Sequence, residues 1–105
     1  MIKTLTTVFT GMLLIAGAVH AAGDAAENLT AFKSKVQPFF KTHCIKCHGP
    51  EKSKAKITLH TIDGDLSTGR DLERWELILE MLDSGAMPPE DEAQPDEAAR
   101  RSIVK

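Results

Sequence analysis

Apolar side chains recur at three- and four-residue spacing in two stretches of the chain, which is the pattern of a helix with one buried face. In the first stretch, residues 28–43, the apolar positions are Leu29, Phe32, Val36 and Phe40. Asn28 or Thr30 can cap the start of this helix through a side-chain oxygen. Because Pro38 lacks a backbone N–H, the pattern predicts a kink or a restart of the helix there.

In the second stretch, residues 71–83, the apolar positions are Leu72, Trp75, Ile78, Leu79 and Leu82. Asp71 can cap its start, and Gly85 favours its end because glycine adopts positive φ without steric cost. A last, short helix is predicted near Pro95, since proline suits a first turn and acidic residues follow it. These patterns together predict three helices.

The first residues of the chain follow a different pattern. Lys3 precedes an apolar run at residues 8–19, which is short for a membrane span but typical of a secretory signal peptide. Small residues around Ala21 predict cleavage after that position. The predicted segments are a signal peptide at 1–21, a short lead at 22–28 and one domain at 29–105. We therefore expect a periplasmic or otherwise exported protein, soluble after cleavage and membrane-anchored if the signal is retained.

The chain has two cysteines, and a histidine directly follows the second. Cys44, Cys47 and His48 form the C-x-x-C-H pattern of covalent c-type haem attachment. Two thiols at this spacing can bond the two vinyl groups on one edge of a porphyrin, and the adjacent imidazole can bind the iron as proximal ligand. The predicted cofactor is one covalent haem c. Export agrees with this prediction, because such attachment takes place outside the cytoplasm in bacteria.

Other uses of the cysteine pair explain fewer residues. A structural zinc site needs four N or S ligands, so the motif would need His43 or His60 as a fourth. The second ligand pair that zinc sites usually have downstream is missing. A redox pair of the thioredoxin type accompanies a βαβ pattern, which the sequence lacks. A structural disulfide would leave His48 unexplained.

A second candidate site follows the second predicted helix. Once the signal peptide is removed, the remaining methionines are Met81 and Met87. A methionine sulfur opposite a histidine suits low-spin haem iron and raises its reduction potential. Met87 precedes Pro88 and Pro89, and this stiff backbone can hold a sulfur at a fixed distance from iron. We therefore expect Met87 as the distal ligand, Met81 in the core, and His60 as a minor alternative ligand.

Charge is unevenly distributed along the chain. Removing Lys3 from the 13 basic side chains leaves 12, against 15 acidic ones, a net charge of −3. Seven lysines surround the haem motif: Lys33, Lys35, Lys41, Lys46, Lys52, Lys54 and Lys56. They form either a positive docking surface for an acidic redox partner or simply a solvated surface. The negative net charge and the lack of a recognition motif argue against nucleic-acid binding.

Three segments together resemble a known family: residues 36–40 (Val-Gln-Pro-Phe-Phe), 44–50 (Cys-Ile-Lys-Cys-His-Gly-Pro) and 85–89 (Gly-Ala-Met-Pro-Pro). They resemble class I c-type cytochromes and, more narrowly, the planctomycete-type cytochrome c domain, over residues 29–104. The resemblance implies a small all-α fold of three to four short helices around one haem. Its first and last helices cross, and a methionine loop closes the haem pocket. It implies that Cys44 and Cys47 hold the porphyrin, with His48 proximal and Met87 distal.

Residues and resemblance together favour an exported one-electron carrier with a single haem and no enzymatic activity. The competing class is a haem enzyme or a gas or redox sensor, which needs an open sixth position that a bound Met87 would block. The sequence offers no distal acid–base pair for peroxide chemistry, and no small-molecule substrate is expected. A structural zinc module is the remaining alternative. The expected partners are redox proteins.

Overall fold

The computed structural model describes residues 17–105, with side chains described from residue 23 onward. Helix α1 spans Gly17–Ala31, a π-helical turn spans Phe32–Val36, and α2 spans Gln37–His43. After a 3₁₀ turn at Lys54–Lys56, α3 spans Leu72–Asp83 and α4 spans Glu97–Val104. This part of the chain contains no β-sheet, so the predicted all-α class is confirmed.

Helix α1 begins earlier than the apolar pattern predicted. The sequence placed the start of the first helix at Asn28 or Thr30, but the helix already begins at Gly17. The cause is composition, because residues 21–26 are rich in alanine, the strongest helix former. Thr30 lies inside the helix and donates its hydroxyl to the Ala26 carbonyl at 2.9 Å instead of capping.

The predictions for the N-terminus fall largely outside the described residues. Lys3 and most of the predicted signal peptide belong to residues 1–16, and the proposed boundaries at 21 and 28 stay predictions. Within residues 17–105, no helix combines the length and the apolar content that a membrane crossing requires.

Pro38 explains the π-helical turn that joins α1 to α2. Just before the proline, the Gln37 N–H donates to the Phe32 carbonyl, five residues back, so the regular α-helical ladder is interrupted. Pro38 itself lies in the first turn of α2, where its missing N–H breaks no bond. The predicted restart of the helix at this proline is confirmed.

The core lies between the helices and the segment that connects α2 to α3. Its buried side chains are Phe32, Phe39, Phe40, Leu59, Ile62, Ile78 and Leu82. Trp75 packs against Phe32 and Phe40, with ring centroids 6.1 and 5.8 Å apart. None of the large side chains in the described part of the chain is completely enclosed. The core is therefore small, as expected for a short domain that a bound group would complete.

Three leucines that the periodic pattern assigned to buried faces are exposed. Leu29, Leu72 and Leu79 are 37%, 56% and 36% exposed. Leu29 lies in α1, whose residues 23–30 are all exposed, so this part of the helix has little to pack against. On α3 the covered face is narrower than the apolar pattern and centres on Ile78 and Leu82. Helical periodicity identifies a face, but not how much of it a neighbour covers.

Helix α4 packs against α3 and against the π-helical turn. Asp96 caps its start, because one carboxylate oxygen accepts the Ala99 N–H at 2.7 Å. Pro95 is buried and directly precedes this cap. It therefore lies just outside the helix, although the sequence predicted it in the first turn. Ile103 and Val104 pack against the core from this helix. The last helix thus covers the end of α3, where the methionine loop begins.

Candidate haem site

A cavity of about 650 Å³ opens between the C-x-x-C-H motif and the segment that follows α3. This volume lies within the range of roughly 300–1,000 Å³ that is usual for ligand and cofactor sites. The apolar part of its lining includes Ile57, Leu59, Leu77, Ile78 and Leu82. Cys44, Cys47, His48 and Met87 also line it. The structure therefore brings all four predicted ligand residues to one cavity.

The motif forms a tight turn directly after α2. The Cys44 N–H donates to the Phe40 carbonyl at 2.8 Å, which continues the helical ladder by one step. The N–H groups of Cys47 and His48 then both donate to the Cys44 carbonyl, at 3.1 and 2.9 Å. Gly49 is buried behind this turn, and a Cβ there would overlap the backbone of the motif itself. Local backbone bonds thus place both thiols and the imidazole on one cavity wall.

His48 is oriented by a hydrogen bond of its own ring. Its Nδ1 lies 3.2 Å from the Ile57 carbonyl oxygen. Because a carbonyl oxygen can only accept, this contact favours the tautomer with the proton on Nδ1 and leaves the Nε2 lone pair for a metal. The Leu59 N–H donates to the His48 carbonyl at 2.8 Å, so the segment that holds the ring is itself tied to the motif.

The environment of Cys44 argues against a redox-exchange dithiol. Cys44 is half-buried, and burial raises the pKa of its thiol to about 11. Exchange cysteines need a lowered pKa, because the thiolate is the nucleophile. Cys44 and Cys47 are not joined in a disulfide.

Two methionines of the described residues line the cavity, whereas the sequence predicted only Met87 there. Met87 lies in the loop after α3, and Met81 lies on α3 itself; both are half-buried. The Met87 N–H donates to the Met81 carbonyl at 3.1 Å, so the loop folds back on the last turn of α3. The expected core position of Met81 is therefore wrong. Met81 follows Leu77 by four residues and Ile78 by three, so all three lie on the face of α3 that lines the cavity. This spacing was the signal in the sequence.

The alternative ligands of the sequence analysis are placed differently. His60 is exposed and is absent from the cavity lining. His43 does line the cavity, where its ring packs on Phe39 with centroids 4.8 Å apart. The described residues contain no group of three or more His, Cys, Asp or Glu side chains placed to hold a metal ion. The zinc alternative gains no support from this part of the chain.

Arg74 is a cavity residue that the sequence analysis missed. Its Nη1 donates to the Thr58 carbonyl at 2.9 Å and to the Thr61 hydroxyl at 3.2 Å. Its Nη2 donates to the Asp71 carboxylate at 2.6 Å. Asp71 was predicted to cap α3, but it makes no capping bond because this buried carboxylate is paired with the arginine. The i, i+3 spacing of the two residues was the signal in the sequence.

Comparison with known proteins adds a family. Residues 44–91 match the family described as "Planctomycete cytochrome C". Over these residues the chain is similar to the planctomycete cytochrome c family. The matched span begins at the first motif cysteine and includes the Met87 loop, so the resemblance inferred from the sequence is confirmed. No curated protein and no solved structure matches the chain.

The cytochrome c family implies haem c, and the residues present fit that group. The cavity is large enough for a cofactor, its walls are mostly apolar, and it presents two thiols, an imidazole and a thioether. Imidazole and thioether are established axial ligands of haem iron in cytochromes c. The donor set therefore agrees with the family.

An exposed ion pair joins the two sides of the cytochrome cavity. The Lys46 Nζ, between the two cysteines, lies 3.2 Å from a carboxylate oxygen of Glu92, which follows the methionine loop. Both residues line the cavity. The Lys46 side chain is 78% exposed and that of Glu92 is 38% exposed, so water and salt weaken this contact.

Proposed function

We propose that this protein is an exported mono-haem c-type cytochrome that carries one electron between redox proteins, with His48 and Met87 as axial ligands. The observation that carries the proposal is the single cavity lined by Cys44, Cys47, His48 and Met87, in a chain whose family implies haem c. An electron carrier needs both axial positions filled, and histidine with methionine is a ligand pair that gives a raised reduction potential.

Each residue has a separate task in this proposal. The Cys44 and Cys47 thiols would hold the haem through thioether bonds at the turn after α2. His48 presents Nε2, and the Ile57 carbonyl at Nδ1 fixes the orientation of the ring. Met87 supplies the second axial ligand. The bound haem provides reversible one-electron chemistry between ferric and ferrous iron.

The apolar walls support a carrier function. Leu59, Ile78 and Leu82 are buried and line the cavity, so they exclude water from the space between the ligands. Burial of a haem in apolar surroundings is one of the means by which a protein sets its reduction potential. With both axial positions filled, no coordination site remains for a substrate, and we therefore propose no enzymatic activity.

Covalent attachment is the first test of this proposal. The full chain is expressed in a host that matures c-type cytochromes, and the intact mass and the haemochrome spectrum of the product are measured. We expect one haem per chain and an N-terminus near Ala22. Cys44→Ala and Cys47→Ala should each lose one thioether bond, whereas Met81→Ala should keep both. A product without covalent haem would contradict the proposal. Its zinc content would then be measured, because a structural zinc site is the remaining alternative.

We also propose that the electron partner docks at the lysines around the cavity. Lys46 and Lys54 line the cavity, and Lys41, Lys52 and Lys56 are exposed next to them in sequence. Such a surface attracts an acidic partner over a distance set by ionic strength. Oxidation of the ferrous protein by ferricyanide, an anionic probe, tests this surface. Lys54→Glu should slow the reaction several-fold at low salt but little at high salt.

The matched control for the docking surface is Lys35→Glu. Lys35 is exposed on the π-helical turn and does not line the cavity, so the same charge change occurs away from the proposed surface. Equal slowing by the two variants would indicate a general effect of net charge and would contradict a docking surface at the cavity.

A further inference from the structure

One side chain of α4 holds the loop that carries Met87. Arg100 Nη1 donates to two backbone carbonyls, that of Met87 at 2.7 Å and that of Leu82 at 3.0 Å. Leu82 lies in the last turn of α3, so a single guanidinium group ties the loop to the helix that precedes it. Hydrogen bonds from a charged donor are shorter and stronger than those between neutral groups. Arg100 is half-buried, which limits screening by solvent.

Gln94 orients this arginine and binds the next part of the loop. Its Oε1 accepts from Arg100 Nη2 at 3.0 Å. Its Nε2 lies within hydrogen-bond distance of three carbonyls, those of Pro88, Pro89 and Glu92, at 3.1, 2.8 and 3.2 Å. Pro88 and Pro89 have no N–H to donate, so this part of the loop is held through its carbonyls, which accept from Gln94. The backbone of the ligand loop is thus held at both ends of its proline pair.

We propose that Arg100, oriented by Gln94, is a positioning residue that fixes the Met87 backbone and thereby keeps its sulfur in the cavity. This inference rests on the proposed role of Met87 as an axial ligand. Arg100 does not line the cavity, and it acts on the loop through the Met87 carbonyl. When the arginine is lost, the loop leaves the cavity more often, and an external ligand can take the position of the sulfur.

Imidazole is the probe for this opening. The ferric holoprotein is titrated with imidazole, and displacement of the sulfur is followed by the loss of the weak far-red sulfur-to-iron band. For Arg100→Gln we expect an imidazole affinity roughly tenfold or more above that of the wild type. The substitution removes hydrogen bonds of a charged donor that exist only while the Met87 loop lies on the cavity. The same variant should show the band weakened before imidazole is added.

Arg101→Gln is the matched control. Arg101 is the next residue of the same helix; its side chain is 60% exposed and pairs with Glu97 at 3.9 Å. The substitution changes the same charge without touching the Met87 loop, so the imidazole affinity should stay within about twofold of wild type. If Arg100→Gln and Arg101→Gln bind imidazole equally, the positioning role is wrong.

Two milder variants separate positioning from folding. Arg100→Lys keeps the charge but lacks the planar group whose two nitrogens bind the carbonyls and Gln94 separately. Gln94→Glu keeps an oxygen for Arg100 but loses the amide donor. Both should raise the imidazole affinity by a smaller factor than Arg100→Gln, and they decide the question if that variant yields no holoprotein. Thermal unfolding is recorded on the same samples. Lower stability with wild-type imidazole affinity would make Arg100 merely structural and overturn the proposal.

The wild-type spectrum distinguishes this failure from a failure of the proposed function. If the band is missing in the wild type, or persists in Met87→Ala, the assignment of Met87 as ligand fails and the positioning role fails with it. If the band depends on Met87 but Arg100→Gln behaves as Arg101→Gln does, the positioning role fails alone.

Discussion

The ligand residues on the two walls of the cavity are held by different bonds. In the motif wall, residues 44–59, the motif turn is closed by backbone bonds between residues close in sequence, such as the Lys54 N–H to the Cys47 carbonyl at 2.9 Å. In the methionine wall, residues 84–94, the Met87 N–H has a backbone partner in α3, but the Met87 carbonyl is held by the side chain of Arg100, 13 residues further along. The motif turn is therefore closed by its own segment, whereas the Met87 carbonyl needs α4 in place.

This difference predicts which wall opens first. Local opening occurs where few backbone bonds and few buried contacts must break. The motif wall would also be fixed by two covalent bonds, while the methionine wall would have a single coordination bond and its side-chain ties. We therefore expect exchange of axial ligands at the Met87 side, with the His48 side unchanged.

Removal of both attachment thiols should have the largest effect, because neither wall then has a group to close on. After cleavage the chain would have about 84 residues, the 105 of the sequence less the 21 of the signal. A domain of this size with a small core is marginal on its own. Circular dichroism of Cys44→Ala/Cys47→Ala should show little helix and no cooperative thermal transition.

The control for that experiment is His43→Ala, which changes another residue of the cavity lining but keeps both thiols. It should retain the helix content of the wild type. A cooperative transition in the double cysteine variant would show that the chain folds without a bound group and would contradict the account.

Truncation of Leu82, a core residue next to the methionine wall, should have the next largest effect. Leu82 is 3% exposed, and its carbonyl accepts a hydrogen bond from Arg100. Leu82→Ala therefore leaves a void where the loop is tied to α3. We expect a loss of about 2–5 kcal/mol in the free energy of unfolding, measured by denaturant titration. Leu72→Ala, on the same helix but 56% exposed, should change it by about 0.5 kcal/mol or less. Similar losses in both variants would contradict the packing of α3.

The ion pair between the walls should have the smallest effect. A double-mutant cycle of Lys46→Gln and Glu92→Gln should give a coupling of about 0–1 kcal/mol, since both side chains are exposed. High salt should reduce this coupling further. A larger coupling that persists in high salt would mean that charge at the cavity mouth, rather than Arg100, holds the walls together.

The same contrast explains what could be predicted from the sequence. The residues of the motif wall are contiguous, and their chemistry fixes their spacing, so Cys44, Cys47 and His48 could be identified without a structure. Met87 was found because the prolines beside it mark a stiff loop. Met81, Arg74 and Arg100 were missed as cavity or loop residues, because their roles depend on how α3 and α4 pack.

Helix boundaries and burial were less predictable for a related reason. Periodicity placed the first helix start at Asn28 or Thr30, yet alanine-rich sequence continues the helix back to Gly17. Leu29, Leu72 and Leu79 fit an apolar stripe but are exposed, because burial is decided by neighbouring elements. Two of the three segments that resemble the family, residues 44–50 and 85–89, carry the proposed chemistry and lie within the matched span. The third, residues 36–40, contributes Phe39 and Phe40 to the core.

The most direct test of the central claim is the ferric absorption spectrum of the holoprotein beside those of Met87→Ala and Met81→Ala. Both methionines line the same cavity, so Met81→Ala is the control for removing a thioether from it. We predict a far-red sulfur-to-iron band in the wild type and in Met81→Ala, and its absence in Met87→Ala. A band that depends on Met81 would move the ligand to α3. A high-spin wild type without the band would leave the sixth position open and favour a haem enzyme or sensor.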